Sequence, residues 1–279
     1  MKVHVVVVYS DRYNRGHEKA FVPPLTGMHL AALVGEDVEV ALTHEKIRPL
    51  DPFQPPDADL FMLTFGTGFA PRAYRLGDEL RARGRLVVMG GPHVSVWPEE
   101  AALHTDCVVV GEAETVMQRI VRDAQKGTLE PLYRGQHASL EGLPVPRYDL
   151  LESEYFVGRV VQATRGCPHA CTFCSTPRLS PGWRTRPVGE VVRDLQAYRG
   201  RGWVQRRIAW FWDDNLTADR TYARELLQAL VPLDLLWVTQ TSLDCTHDEG
   251  VLDLMEASGC IGVFLGIETV SASNLKRVH

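Results

Sequence analysis

The sequence predicts an α/β protein of two domains, each built from short buried strands that alternate with helices. Two observations support this fold class. Apolar runs of strand length alternate with helical patterns in both halves of the chain, and a stretch without periodicity separates the halves. A length of 279 residues suits one large or two ordinary domains. Apolar residues make up 45% of the chain and charged residues 23%, proportions near those of soluble globular proteins.

In the first half, continuous apolar runs predict strands that are buried on both faces of a parallel sheet. We expect these strands at residues 3–8, 38–42, 60–65, 86–89 and 107–110. We expect helices between and after them at residues 25–34, 71–83, 98–104 and 112–125. Pro71 and Pro98 suit first helical turns, and Gly84 suits a helix C-terminus. This order predicts a doubly wound, Rossmann-like or flavodoxin-like domain over residues 1–132.

A linker is expected at residues 133–156, because residues 133–151 contain two prolines and two glycines and show little periodicity. The alternation then resumes over residues 157–279. Strands are expected at 160–163, 207–212, 235–240 and 261–267, with helices at 188–198, 218–230 and 248–257. A fifth helix would begin at Ser271 and stop within about two turns, so we expect the sequence to be part of a longer protein.

Composition narrows the class of function and the compartment. The formal net charge of −5 argues against a general nucleic-acid binder. No apolar run approaches the roughly 18 residues of a membrane span. Residues 1–15 predict a first strand rather than a signal peptide, since Asp11 and Arg12 follow the apolar run and no cleavage site is present. We therefore expect a cytoplasmic protein, in which clustered cysteines more often bind metal than form disulfides.

Three of the six cysteines, Cys167, Cys171 and Cys174, lie within the stretch RGCPHACTFC after a predicted strand. Three thiolates from one loop can hold three irons of a cubane iron–sulfur cluster and leave the fourth iron open to another ligand. The alternatives are a zinc site completed by His169 or by a distant cysteine, and thiols without a metal. Cys107, Cys245 and Cys260 lie on or beside apolar strands and are expected to be buried.

The stretch RGCPHACTFC, with Phe173 before the last cysteine, resembles the Cys-x3-Cys-x-aromatic-Cys loop of radical S-adenosylmethionine (SAM) enzymes. The resemblance implies a 4Fe–4S cluster on the three cysteines. It also implies SAM bound to the fourth iron and cleaved by an electron from the cluster to a 5′-deoxyadenosyl radical. It covers residues 160–279, about four of the six β/α units of the family's partial barrel.

The same resemblance implies residues that contact SAM. The stretch WFWDDN occupies the place of the family's glycine-glycine-glutamate segment, although its residues differ, and it offers Asp213, Asp214 and Asn215. The alternative for Asp214 or Asn215 is a cap on the following helix. Further candidates are Phe173 in the loop, Gln240 and Ser242 on the third strand, and Glu268 after the fourth. A salt bridge at the sheet end is the alternative for Glu268.

A doubly wound domain, a linker and then the cysteine loop together resemble the radical SAM enzymes that carry a cobalamin-binding domain. Glycines after the predicted strands would let a bulky flat ligand approach the backbone. The resemblance implies a corrin-binding edge that consists of Thr64, Gly66, Gly90, Gly91, His93, Gly111 and Glu112. No histidine occurs in an Asp-x-His-x-x-Gly motif, so we expect no histidine of that motif on the cobalt.

The leading hypothesis is a cobalamin-dependent radical SAM enzyme that methylates, or modifies by other radical chemistry, an unreactive carbon of a small molecule. A flavodoxin or ferredoxin would donate electrons. A transfer-RNA methylthiotransferase is one alternative, although its leading domain would carry three further cluster cysteines and this one has only Cys107. A non-catalytic metal-binding module is another. The arginines between residues 184 and 207 favour a solvated helix face over a contact with RNA or an anionic substrate.

Overall fold

The computed structural model describes residues 1–10, 21–200, 202–271 and 273–274, and the chain divides into two compact units. Unit 1 consists of Met1–Ser139 and Pro144–Tyr155, and unit 2 consists of Leu140–Leu143 and Phe156–His279. Within the segment expected to be a linker, a short stretch thus packs with unit 2 while the residues on both sides of it pack with unit 1.

Unit 1 contains a six-stranded sheet in which every pair of neighbours is parallel. Its strands are β1 (Lys2–Val7), β2 (Glu39–His44), β3 (Leu60–Thr64), β4 (Leu86–Gly90), β5 (Cys107–Val110) and β6 (Leu132–Arg134), in the order β2-β1-β3-β4-β5-β6. This order confirms the predicted doubly wound architecture, and its direction reverses between β1 and β3, where such folds bind ligands. The sequence did not predict β6, which is only three residues long.

Five helices in the described part of unit 1 cover the sheet: α1 (Leu25–Leu33), α2 (Ala70–Ala82), α3 (Pro92–Val96), α4 (Pro98–Ala101) and α5 (Met117–Lys126). Alternate residues of β3 face opposite sides, and both sides are buried. Phe61 packs in one apolar cluster with residues of α2, and Met62 packs in another with residues of α1 and α5. This two-sided burial explains the continuous apolar runs in the sequence.

Unit 2 contains six further strands among its described residues. They are β7 (Arg159–Val161), β8 (Thr164–Gly166), β9 (Trp183–Thr185), β10 (Ile208–Phe211), β11 (Leu236–Ser242) and β12 (Cys260–Gly266). Four of them form a parallel sheet in the order β12-β11-β10-β7, as the sequence predicts. Strands β8 and β9 form a separate antiparallel pair that the sequence did not predict.

The described helices of unit 2 are α6 (Thr176–Leu179), α7 (Val188–Ala197), α8 (Trp203–Arg207), α9 (Arg220–Leu230) and α10 (Glu249–Ala257). Helices α7, α9 and α10 pack on one face of the parallel sheet, around Phe211 and Trp237, whose rings meet edge to face at 5.4 Å. Asp219 and Asp248 cap α9 and α10, because their carboxylates accept hydrogen bonds from Tyr222 N and Val251 N. The helix expected from Ser271 onward lies largely outside the described residues.

One arginine of the basic stretch departs from the expected solvated face. Arg186 is buried, and its Nη1 lies 2.8 Å from Oδ2 of the equally buried Asp194. Its backbone N–H also donates to Ala163 O. The expectation of a solvated face is therefore wrong for this residue, which joins α7 to the segment that follows β7.

Candidate active site

The loop that carries the three cysteines is closed at its base by the antiparallel pair β8–β9. Thr164 pairs with Thr185 and Gly166 with Trp183, so that residues 167–182 form an excursion between two adjacent strands. Gly166 has a φ of 84°, and a Cβ atom there would lie 2.0 Å from Gly182 O. Only glycine fits this position, which explains the residue that precedes Cys167 in the motif.

Asp213, which follows β10, fastens the first strand of this closure. Its Oδ1 accepts hydrogen bonds from Ala163 N at 3.0 Å, from Thr164 N, and from Thr164 Oγ1 at 2.8 Å. The residue is 4% exposed, and among the described residues its Oδ2 has no hydrogen-bond partner. Burial raises the pKa of this carboxyl to about 7, although the three donors favour the ionised form. Its place in the interior suits the support of the loop rather than contact with a ligand.

Asp214 fastens the loop at two further points. Its Oδ2 accepts a hydrogen bond from Gly166 N at 3.1 Å, immediately before the first cysteine. Its Oδ1 accepts one from Thr176 Oγ1 at 3.2 Å, shortly after the last cysteine. The two aspartates that follow β10 therefore hold both ends of the cysteine segment at the carboxyl edge of the parallel sheet. Neither caps the following helix, a role that Asp219 takes instead.

Asn215 lies at the centre of the site, between the cysteine loop and β11. It is 1% exposed, and its Nδ2 donates to Cys167 Sγ at 3.8 Å and to Ser242 Oγ at 3.3 Å. Its Oδ1 accepts from Thr241 Oγ1 at 2.9 Å. Of the three candidates in the WFWDDN stretch, this is the side chain that the structure brings to a cysteine sulfur.

Cys167, Cys171 and Cys174 are all partly exposed free thiols, whereas Cys107 and Cys245 are buried as expected. Cys260 was also expected to be buried, but it is partly exposed. Cys174 N donates to Cys171 O at 3.1 Å. The pKa of Cys171 is raised by partial burial and then by the charges of Cys167, Cys174 and Glu268, so these groups lie near one another.

A site for one metal ion is a different arrangement from a site for a cluster. Within residues 1–10, 21–200, 202–271 and 273–274, no group of three or more His, Cys, Asp or Glu side chains is arranged to hold a single ion. A mononuclear zinc site needs its ligands around one point, whereas each cysteine of an iron–sulfur cluster binds its own iron. His169, the proposed fourth zinc ligand, lies 3.5 Å from Asp244 Oδ2 through its Nε2. Three cysteine thiolates on one loop can each bind one iron of such a cluster.

The remaining SAM candidates lie at the same edge of the parallel sheet. Gln240 is exposed and donates from Nε2 to Asp214 O at 3.4 Å, and Ser242 ends β11. Glu268 is exposed, has a φ of 56° and influences Cys171 electrostatically. Phe173 is 56% exposed. These four side chains remain accessible beside the cysteines, in contrast to the buried Asp213.

The predicted corrin-binding residues of unit 1 follow three neighbouring strands at their carboxyl ends. Thr64 ends β3, Gly90 ends β4, and Gly111 follows β5, while Gly66, Gly91 and Glu112 lie in the turns beyond and His93 lies at the start of α3. Gly91 has a φ of 107°, and a Cβ atom there would lie 3.0 Å or less from Phe65 O and Thr64 Oγ1. At Gly66, by contrast, an added Cβ would meet open space among the described residues.

Two of these corrin candidates are occupied by contacts within unit 1. His93 is 4% exposed, with Nε2 2.8 Å from Tyr74 Oη and Nδ1 3.3 Å from Thr67 Oγ1. The carboxylate of Glu112 accepts a hydrogen bond from Ala138 N at 2.9 Å. Space is open at Gly66, whereas His93 is buried and engaged by Tyr74 and Thr67.

The closure of the loop by β8 and β9, and the role of Asp213 in holding β8, were not predicted from the sequence. Strands β8 and β9 are only three residues each, and the residues that pair between them lie 17 or more positions apart in the sequence. The glycine before Cys167 and the glycine at 182 were the available signals, since close approach of two backbone segments requires such residues.

Comparison with known proteins finds a matching family model and several related methyltransferases. Residues 161–279 match the model of the radical SAM superfamily. Bacteriochlorophyllide d C-12(1)-methyltransferase of Chlorobaculum tepidum is 27% identical over 263 residues, which cover 92% of this chain and 58% of that protein. Bacteriochlorophyllide d C-8(2)-methyltransferase of the same organism is 29% identical over 237 residues, covering 80% and 52%. The chain thus spans little more than half the length of these relatives.

The fold has a counterpart among solved structures. The radical S-adenosylmethionine methyltransferase TsrM of Kitasatospora setae, solved with its tryptophan substrate and a SAM analogue, superposes with a TM-score of 0.73. The match covers 98% of this chain and 60% of that chain, at 16% sequence identity. Together with the cysteine loop and its closure at the edge of a parallel sheet, these matches identify residues 161–279 as a radical SAM domain that follows a doubly wound α/β domain in the chain.

Proposed function

We propose that the protein is a radical SAM enzyme that methylates an unreactive carbon of a small molecule and uses cobalamin as a second cofactor. The observation that carries this proposal is the cysteine loop itself. Three partly exposed thiols lie on one segment whose ends are fixed by β8–β9 and by Asp214. Such a segment can present three thiolates to a cluster without a fourth protein ligand.

Cys167, Cys171 and Cys174 would hold the 4Fe–4S cluster, and SAM would take the remaining coordination position. When bound, the cluster supplies the electron that cleaves SAM to a 5′-deoxyadenosyl radical. The chain's own contribution is to hold the loop in place, since Asp213 and Asp214 accept hydrogen bonds from the backbone at its base. Outer contacts of this kind orient the residues that bind a metal.

For SAM, we propose the accessible side chains rather than the buried ones. Gln240, Ser242 and Glu268 offer amide, hydroxyl and carboxylate groups, and a carboxylate can accept hydrogen bonds from the ammonium or ribose of SAM. Phe173 offers an exposed ring beside the last cysteine. Asp213 is too deeply buried for this contact, and the carboxylate of Asp214 is committed to Gly166 and Thr176.

Cobalamin binding is supported by the edge of unit 1. Gly66, Gly90, Gly91 and Gly111 follow β3, β4 and β5, which are neighbours in the sheet, so a flat ligand could approach backbone at three adjacent turns. The open space at Gly66 offers a test. Gly66→Ala should leave the fold of unit 1 intact but weaken cobalamin binding, measured by the visible spectrum after desalting. Equal cobalamin retention in the variant and the parent protein would remove Gly66 from this site.

The relatives named above support methyl transfer to carbon, and a small-molecule substrate with a flavodoxin or ferredoxin as electron donor completes the proposal. Within the described ranges, no helix is long and apolar enough to cross a membrane. We propose a cytoplasmic setting on a separate ground, because clustered cysteines that bind metal are typical of that compartment. The alternative of a methylthiotransferase is disfavoured by Cys107. Three further cluster cysteines would be needed in residues 1–132, and Cys107 is the one cysteine there, buried in an apolar cluster of the sheet.

The test is anaerobic reconstitution followed by iron and sulfide assays. The parent protein should retain about four irons and four sulfides, as the proposed cluster requires. Cys167→Ser, Cys171→Ser and Cys174→Ser should each lose most of the iron, whereas the matched control Cys260→Ser, outside the loop, should retain it. An iron-free parent protein, or a control that loses as much iron as the loop variants, would overturn the proposal.

A further inference from the structure

Asn215 connects the first cluster cysteine to the end of strand β11. Its Nδ2 lies 3.8 Å from Cys167 Sγ and 3.3 Å from Ser242 Oγ. Both contacts are shielded from water, because Asn215 is 1% exposed. An amide that is shielded from water and directed at a sulfur is a candidate donor to a metal-bound thiolate.

The orientation of this amide is fixed by its other end. Asn215 Oδ1 accepts from the backbone N–H of Ser242 at 3.4 Å and lies 2.9 Å from Thr241 Oγ1. A backbone N–H can only donate, so the oxygen of the side chain must face β11. The NH₂ group must then face Cys167, and a flipped amide would set two donors against each other.

The contacts continue from Asn215 back into the cysteine loop. Ser242 Oγ donates to Asp244 Oδ2 at 3.4 Å, and the same carboxylate oxygen lies 3.5 Å from His169 Nε2. His169 stands between Cys167 and Cys171 in the sequence. Residues that follow β10 and β11 thus contact the loop at a cysteine sulfur and at a neighbouring side chain.

We propose that Asn215 is a positioning residue that donates a hydrogen bond to the Cys167 thiolate and raises the reduction potential of the cluster. This inference rests on the proposed function, because it needs a cluster on Cys167. Reduction adds one negative charge to the cluster and its thiolates, and a fixed N–H donor stabilises the more negative state. Hydrogen bonds to the sulfurs are among the established determinants of cluster potential.

The test is a redox titration of the reconstituted protein without SAM, monitored by electron paramagnetic resonance. Asn215→Leu keeps the approximate size of the side chain and removes the donor. At the midpoint potential of the parent protein, we expect the ratio of reduced to oxidised cluster in Asn215→Leu to be lower by up to about tenfold. This corresponds to a midpoint shift of about 59 mV for a one-electron couple. The matched control is Gln205→Leu, which removes an amide that donates to Phe156 O, and its midpoint should equal the parent value.

Ser242→Ala provides a second variant in case Asn215→Leu holds no cluster. It leaves Asn215 in place but removes one acceptor of its NH₂ group, so we expect a smaller shift in the same direction. A parent protein without a cluster would refute the proposed function. If the parent protein holds a cluster and the midpoint potential of Asn215→Leu is unchanged or higher, only the role of Asn215 is refuted. If Asn215→Leu forms no cluster, an unchanged Ser242→Ala midpoint would refute that role. Since SAM is absent, a residue that only contacts SAM would not move the midpoint.

Discussion

The hydrogen bonds that Asp213 accepts should decide whether the cysteine loop stays attached to the sheet. Asp213→Ala removes the acceptor of two buried backbone N–H groups, those of Ala163 and Thr164. A buried donor without a partner costs about 1–3 kcal/mol, so the two together cost about 2–6 kcal/mol. Because the Thr164 hydroxyl can rotate to another acceptor, we add nothing for it. A loss of about 3 kcal/mol would make local opening of the loop base roughly 100-fold more frequent.

The measurement is hydrogen exchange over residues 159–185, combined with the iron content after reconstitution. Asp213→Ala should exchange faster in this segment and retain less iron, while residues 220–230 of α9 keep their protection. Asp213→Asn is the matched control, because its Oδ1 can accept the same hydrogen bonds. If the alanine variant exchanges as slowly as the parent protein, or if the asparagine variant opens as readily as the alanine variant, the assigned role is wrong.

Three further predictions concern the same unit and the edge of unit 1. The pKa of Asp213 is raised from 3.8 to about 7 in the folded chain, so the folded state binds this proton more tightly than the unfolded state. The stability that this proton contributes is therefore complete below about pH 4 and is lost as the pH rises through 7. Melting temperatures at pH 5.5 and pH 8 should show this loss in the parent protein and not in Asp213→Asn. Gly166→Ala should reduce iron retention severalfold, since the new Cβ would lie 2.0 Å from Gly182 O, whereas Gly189→Ala, with no atom within 4 Å, should retain iron normally; equal retention would contradict the loop closure. Gly91→Ala should lower the melting temperature of unit 1, because its φ is 107° and Phe65 O lies 2.9 Å from the new Cβ, and an unchanged melting temperature would argue against that turn.

The parallel sheets were predictable because strands that are buried on both faces appear in the sequence as continuous apolar runs. Strand β3 is fully buried over all five residues, and its first four residues, 60–63, are a continuous apolar run. The cysteine spacing likewise pointed to a cluster before any geometry was available. Strand β6 escaped prediction because three residues carry too little pattern to separate a strand from a linker.

The roles within the WFWDDN stretch were not predictable from residue type. Asp213, Asp214 and Asn215 all follow β10, and all three can bind ligands as well as hold a loop. Their burial and partners depend on β8–β9, whose pairing brings Gly166 beside Trp183 across the cysteine segment. His93 is a similar case, because only packing against Tyr74 and Thr67 reveals that both ring nitrogens are engaged. Long-range pairing of this kind is not encoded in local periodicity.

Reductive cleavage of SAM is the reaction that the proposed function requires. The reconstituted parent protein, reduced anaerobically with SAM, should release 5′-deoxyadenosine, and Cys167→Ser with Cys171→Ser and Cys174→Ser in one chain should release none. A parent protein that carries a full complement of iron and sulfide but forms no 5′-deoxyadenosine would contradict the account and indicate a metal-binding module without radical chemistry.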